Sequence, residues 1–297
     1  MDWDKLRIFH SVAEAGSFTH AGEQLNLSQS AVSRQISALE ESLKTPLFHR
    51  HARGLILTEQ GELLFRTAHE VFAKLAMAEA MLTDSKDRPR GELKVTTTVG
   101  FGSTWVAPRI KEFSELYPDV SVNLVLDDHE LDLSMREADV ALRMRKPTQP
   151  DLVQRKLLTV HYHIYAGAEY LKRYGTPKAL EDLNSGHRLI TYGEEAPAPI
   201  SDVNWLMTAG MPPGQKRDAT LQVNNTFAIM LAVESSLGIA AIPDYMTEGN
   251  TRIVRILPAV EGPTFETYFV YPEELRNSKR IAVFRDFLVR KVADWHF

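Results

Sequence analysis

The chain has 297 residues, with 34 Lys or Arg against 39 Asp or Glu, a net charge of −5 and no cysteine. Hydrophobic residues at 44% and charged residues at 25% exclude a mostly disordered chain, and the length predicts two domains, each with its own core. The missing cysteines exclude a disulfide framework, a Cys-ligated zinc or iron–sulfur centre and a thiol switch, while the acidity alone argues against nucleic acid.

Met1-Asp2-Trp3-Asp4-Lys5 lacks the basic start and apolar stretch of a signal peptide, and no apolar run approaches the roughly 20 residues of a membrane span, so a cytoplasmic protein is expected. Only Pro46 falls within the first 88 residues, which favours helices there. Leu6, Phe9 and Ala13, flanked by Ile8 and Val12, form a helical stripe that Gly16 ends. Ser17 or Thr19 caps a short second helix with Ala21 and Leu25, and Asn26 supplies a tight turn. Ser28 caps a third helix whose apolar face is Val32, Ile36, Leu39 and Leu43. A hairpin joins residues 47–51 to 55–57 across Arg53-Gly54. From Thr58 to about Asp84 runs a long helix in which Leu64, Ala68, Val71, Leu75, Ala78 and Leu82 keep a heptad spacing. Such a stripe pairs with a partner helix or packs on its own domain. The charged stretch 84–90, with Pro89 followed by Gly91, reads as a hinge.

Beyond the hinge, short strands alternate with helices. Leu93–Thr98, Val120–Leu126 and Val140–Met144 are strands, with a helix over Trp105–Leu116. A second set comprises strands at Tyr162–Ala166, Leu189–Tyr192, Leu221–Val223 and Ile239–Ile242, with a helix over Thr226–Leu237. This rhythm predicts an α/β fold with a mostly parallel, doubly wound sheet in two subdomains and a cleft between them.

Helix, tight turn, helix and basic hairpin is the winged helix-turn-helix plan. Opposite the apolar stripe, the third helix presents Ser30, Ser33, Arg34 and Ser37, with Ser28 and Gln29 at its start. Arg34 can pair bidentately with guanine, Gln29 with adenine or a phosphate, and the serines with either. The hairpin carries His49, Arg50, His51 and Arg53, suited to the flanking backbone or minor groove. Residues 1–58 hold six basic and six acidic side chains, yet Arg34, Lys44, Arg50 and Arg53 gather at the reading helix and wing. A solvated helix face beside a basic hairpin has the same composition.

These residues resemble a known family. Phe9–Gly16, Ser17-Phe18-Thr19-His20-Ala21-Gly22, Leu27-Ser28-Gln29-Ser30-Ala31-Val32-Ser33-Arg34-Gln35-Ile36, Leu39-Glu40, Pro46-Leu47-Phe48, Arg53-Gly54-Leu55, Leu57-Thr58 and Gly61 are similar to the LysR-type transcriptional regulators. Met1–Phe9, Leu47–Leu64 and Glu92–Val99 look most like the branch regulating symbiosis and virulence in host-associated bacteria. The resemblance implies a DNA-binding domain over 1–60, a linker or dimerisation helix and hinge over 61–90, and a regulatory domain of the periplasmic-binding-protein kind over 91–297. Its first lobe is expected at about 91–161 plus 267–297 and its second at about 162–266. It also implies double-stranded promoter DNA, a small-molecule effector and further copies of the chain as partners, in a homodimer or homotetramer, with RNA polymerase as an additional partner. No cofactor and no membrane are expected.

In a doubly wound sheet, ligands bind beyond the strand ends against helix N-termini. The stretch Thr98–Thr104 reads as such a loop, with Gly102, Ser103 and Thr104 beside free amides, and Asn225 and Thr226 start a helix in the other lobe. Facing N-termini suit an anion. Arg143 either pairs with a ligand carboxylate or holds Asp139; His129 lines the mouth or lies on the surface; Trp205 and Tyr245 stack on a ligand or belong to the core. An enzyme is not expected: Gly100-Phe101-Gly102 lacks the third glycine of a dinucleotide loop, and there is no phosphate loop, nucleophile elbow or H-E-x-x-H motif. His49-x-His51 and His161-x-His163 have no evident acidic third ligand, so no metal is expected.

Overall fold

The computed structural model describes residues 2–51, 54–83, 88–133, 137–193 and 200–295, apart from the side chains of residues 50, 51, 73 and 76–83. It divides into two units, residues 1–83 and 84–297.

In the first unit each helix starts and stops where local chemistry dictates. Helix α1 (Trp3–Ala15) is capped by the Asp2 carboxylate, which accepts from the Asp4 amide, and ends at Gly16 with φ of 60°. Helix α2 (Phe18–Leu25) starts under the Ser17 hydroxyl and ends at Asn26, φ 55°. Helix α3 (Gln29–Leu43) starts under Ser28, whose hydroxyl accepts from the Ala31 amide at 3.2 Å. The α2–α3 turn is tight enough that a Cβ at Gly22 would lie 2.6 Å from the Leu27 carbonyl oxygen. Strands β1 (Phe48–His51) and β2 (Gly54–Leu57) pair antiparallel as a wing, and α4 (Glu59–Thr83) follows. Phe9, Val12, Ala21, Val32, Ile36 and Leu39 are wholly buried in one core that also takes Leu47 and Phe48 from the wing. At about 1.5–3 kcal/mol for each large side chain buried, this core fixes the third helix against the first two.

The second unit begins with β3 (Gly91–Thr97) and a continuous helical run: α5 (Val99–Phe101), a π-helical turn (Gly102–Val106) and α6 (Ala107–Leu116). The run starts six residues before the expected Trp105. The π turn stands immediately ahead of Pro108, whose missing amide and ring disrupt the regular ladder. Strands β4 (Val120–Leu126) and β5 (Val140–Arg143) flank β3 in parallel. Strand β6 (Leu152–Gly167) is sixteen residues long and leaves this lobe for the second. Helix α7 (Ala168–Tyr174), the parallel pair β7 (Ile190–Tyr192) and β8 (Leu221–Val223), α8 (Thr226–Glu234), β9 (Ile239–Pro243) and β10 (Ile253–Ile256) build the second lobe. Strand β11 (Thr264–Pro272) returns, and α9 (Lys279–Ala293) closes the first lobe with Ile281, Phe284, Phe287 and Leu288 buried.

The expectation of a mostly parallel sheet needs correcting. Among the described residues, parallel ladders join β3, β4 and β5 in one lobe and β7 and β8 in the other, with one further parallel bridge between Leu189 and Ile239. The two strands that cross between lobes run in opposite directions side by side, so β6 is antiparallel to β11, and β11 to β5. From Tyr162 onward β6 is instead paired antiparallel with β9 and β10. One strand therefore belongs to the sheets of both lobes, and the change of partners falls between His161 and Tyr162.

Candidate functional site

The face of α3 opposite its buried stripe is formed as the residue spacing requires. Gln29, Ser30, Arg34 and Ser37 are exposed and Ser33 is half-buried, while Val32, Ile36 and Leu39 are wholly buried. Ser28 is spent on capping, its hydroxyl 3.1 Å from that of Ser30. Arg50 lies on β1 opposite Leu55 by its backbone register, but its side chain, like all of Arg53, lies outside the described residues. Sequence reasoning assigned no role to the residues that fix the wing. One oxygen of the Glu40 carboxylate accepts from the amides of Leu47, at 2.7 Å, and Phe48, at 3.2 Å, tying the start of β1 to α3. The buried Thr58 hydroxyl donates to the Pro46 carbonyl at 2.8 Å and accepts from the Gly61 amide at 3.0 Å. A Cβ at Gly61 would lie 2.1 Å from the Leu47 carbonyl oxygen, so only glycine lets α4 pass there. Thr-x-x-Gly at the head of a helix was the available signal.

The heptad stripe of α4 divides between two roles. Leu64 and Ala68 pack on the core of their own unit, Leu64 partly and Ala68 almost completely buried, the second of the two roles open to such a stripe. Val71 and Leu75 stay exposed at 36% and 50% of their surface, and the Leu82 side chain lies outside the described residues. Between α1 and α4 is an open groove of about 210 Å³ lined by Trp3, Leu6, Leu64, Ala68 and Val71.

In the second unit, an open cavity of about 280 Å³ lies at the carboxyl ends of β3, β4 and β5, lined by Thr96–Thr98, Asp127–Leu131 and Ala141–Arg145. Among the lining residues, Asp128 is the one tied to both lobes. One oxygen of that carboxylate accepts from the Val99 amide at 3.1 Å, at the start of the helical run, and the other accepts from Asn225 Nδ2 at 3.3 Å. Asn225 is itself the cap of α8, its Oδ1 accepting from the Ala228 amide at 3.0 Å. The carboxylate thus lies between the two helix starts expected to attract an anion, and it joins the two lobes. Burial holds its pKa above the ordinary carboxylate value, outweighing the amide of Val99. Tyr162, Tyr192 and Tyr245 are pushed up chiefly by burial and further by the charge of Asp128.

Several expected ligand contacts have other duties. Gly102 lies inside the helical run, where a Cβ would meet Leu126 Cδ2 at 2.1 Å and Thr97 Cγ2 at 2.9 Å; it serves helix–sheet packing. The Thr104 hydroxyl donates to the Gly100 carbonyl at 2.8 Å, and Ser103 is half-buried in the same turn, so neither follows a free helix start. Thr226 is buried beside Asn225. The Arg143 side chain is only 5% exposed, donating to Gln149 at 2.9 Å and the Leu131 carbonyl at 3.2 Å, with Glu130 at 3.8 Å. It secures the loop at the mouth of the cavity that it also lines. His129 is exposed against Asp127 at 3.0 Å. Tyr245 is buried edge-on to Phe101, and Trp205 packs against the core of the second lobe.

Comparison with known proteins matches the chain along its length. The family described as LysR substrate binding domain matches residues 86–293, and that described as bacterial regulatory helix-turn-helix protein, lysR family, matches residues 3–62. The HTH-type transcriptional regulator CrgA of Neisseria meningitidis serogroup C (strain 8013) is 30% identical, covering 98% of this chain and 97% of its own. The solved structure of CrgA, a LysR-type transcriptional regulator from Neisseria meningitidis, has a TM-score of 0.61 at 29% identity, covering 98% and 99% of the two chains. That of the Vibrio cholerae virulence activator AphB has a TM-score of 0.63 at 25% identity over the full length of both.

Proposed function

Because this chain belongs to the LysR family of DNA-binding transcriptional regulators, we propose that a small carboxylate-bearing molecule, bound between its two lobes, sets its activity. The observation that carries this reading is the seat of Asp128. Its carboxylate already occupies the meeting point of the two helix starts, held by Val99 and Asn225. A site that binds a carboxylate from its own chain has the donors and dipoles to bind one from solution. An effector carboxylate replaces Asp128 there, which frees the tie between lobes and lets them rotate.

The remainder of the proposal follows from the first unit. Arg34, Gln29, Ser30, Ser33 and Ser37 read the major groove of promoter DNA, and the wing contacts the flanking backbone. Val71 and Leu75 pair with the same helix of a second copy, giving a dimer and, through the regulatory domains, a homotetramer in the cytoplasm. Lobe rotation changes the spacing of reading heads on DNA and thereby their contact with RNA polymerase.

Thermal-shift screening of the full chain against acids, amino acids and sugars tests the effector class. A matching acid at a hundredfold excess over its Kd stabilises by about 2.7 kcal/mol. If only cations or large apolar compounds shift the melting point, the carboxylate reading fails. A second reading draws on the same seat: with both donors already served, the cleft takes no small molecule and the protein answers to partners or DNA geometry alone. DNA footprints with and without cell metabolites separate the two, since only the first reading has them differ.

A further inference from the structure

The first unit contains a cluster of ligand-type side chains that DNA reading does not use. His10 and Glu14 lie one turn apart on α1, and His69 reaches them from α4. His10 Nε2 is 2.9 Å from His69 Nδ1, and Glu14 approaches both rings, with one oxygen 3.4 Å from His10 Nδ1 and the other 3.9 Å from His69 Nδ1. One ligand atom from each residue falls within 4.8 Å of the other two. Ligands about 2.0–2.1 Å from a tetrahedral ion stand roughly 3.3 Å apart. The 2.9 Å between His10 Nε2 and His69 Nδ1 is near that spacing, and the Glu14 oxygen 3.9 Å from His69 Nδ1 has to close by only about 0.6 Å to reach it. Phe65 stacks on the His10 ring at 5.2 Å and Phe72 meets it at a tilt at 5.1 Å, giving the cluster apolar walls.

We propose that His10, Glu14 and His69 form a binding site for a divalent transition-metal ion of the zinc class, clamping α1 to α4. Two imidazole nitrogens and one carboxylate oxygen are the donor set that zinc, cobalt and nickel favour over magnesium or calcium. The ion takes the place of the proton between His10 Nε2 and His69 Nδ1. That proton moves to the outer nitrogen of its ring, so both neutral imidazoles turn a lone pair inward. Three protein ligands leave a fourth position for water. Because α4 continues directly to Val71 and Leu75, an ion here braces the exposed stripe against the reading head.

The test uses untagged full-length protein stripped with a chelator and titrated with Zn²⁺ against a chromogenic competitor, then with Co²⁺ while recording its visible ligand-field bands. The expected result is one equivalent per chain, an absorption consistent with mixed nitrogen–oxygen ligation, and a melting point raised by the metal. Glu14 is exposed, so Glu14→Gln leaves folding intact, and it is expected to weaken Zn²⁺ binding by at least about tenfold. His69→Gln is expected to abolish the Co²⁺ bands. Well under one equivalent bound by the wild-type chain overturns the proposal. So does undiminished affinity in Glu14→Gln together with unchanged bands in His69→Gln, because the metal would then sit on other histidines.

Discussion

Replacing Asp128 by Ala tests whether its carboxylate ties the lobes together. The substitution removes an acceptor of the Val99 amide at 3.1 Å and of Asn225 Nδ2 at 3.3 Å. Hydrogen bonds to a charged group contribute about 1.5–3 kcal/mol each when well made. The second of these is long, and water reaches the vacated amides through the adjoining cavity. The buried charge also opposes its own bonds, as its raised pKa shows. These offsets leave a net loss of about 1 kcal/mol, which lowers the melting point of a unit this size by roughly 2–4 °C. The space left has the shape and donors for formate. Scanning calorimetry at constant ionic strength is therefore expected to show formate, and not chloride, restoring the melting point of the variant while leaving wild type unmoved. The pH dependence has a defined sign. With the folded pKa above 3.8, the folded chain holds more protons than the unfolded chain between those values. Wild-type stability thus falls as pH rises through that window and is level above it, and the Ala variant lacks this contribution. Equal melting points and equal formate responses in the two proteins would refute the assignment.

Arg34→Ala is expected to weaken binding to specific DNA by about 1–3 kcal/mol per half-site in a fluorescence titration; unchanged affinity would move the reading face elsewhere. Leu75→Glu places a charge on the exposed stripe of α4 and is expected to shift the protein toward monomer in sedimentation experiments. A variant still fully paired would show that other surfaces hold the copies together. Gly61→Ala forces a methyl group against the Leu47 carbonyl, where the backbone has little room to yield, and is expected to cost about 1–3 kcal/mol by denaturant unfolding.

The first unit was legible because its signals are local. Gly16 and Asn26 act through their own backbones and Ser17 and Ser28 through hydroxyls that reach amides two or three residues on, so each stops or starts a helix nearby, Ser17 being the one of the pair Ser17 and Thr19 that caps. The second unit was less so. Strand β6 was recognised only from Tyr162, because Gln154, Arg155 and Lys156 on its early half are exposed and break the apolar pattern. The helical run from Val99 was missed because Gly100 and Gly102 read as loop, whereas Gly102 is there for the contact with Leu126 and Thr97. Asp128 stood beside His129 yet was given no role, since its partners Val99 and Asn225 are 29 and 97 residues away in sequence. Ala68 fitted the heptad as well as Leu75 did, yet one is buried and the other exposed; spacing defines a stripe, and only the fold decides what covers it.

The sharing of β6 between both sheets governs how the regulatory domain can respond at all. Two lobes joined by flexible tethers can drift apart in any direction. Here the joint is a hydrogen-bonded ribbon: β6 and β11 stay paired up to His161 and Thr264, and the Tyr162 amide still reaches the Pro263 carbonyl at 3.1 Å. At Gly262 a Cβ would lie 2.3 Å from the Tyr162 carbonyl oxygen, so the crossing strands are pressed together where they exchange sheets. Such a ribbon resists stretching and yields most easily to torsion. A ligand-driven signal in this domain is then an angle, transmitted without breaking a ladder, and amide exchange along β6 should be as slow in the responding state as in the resting one.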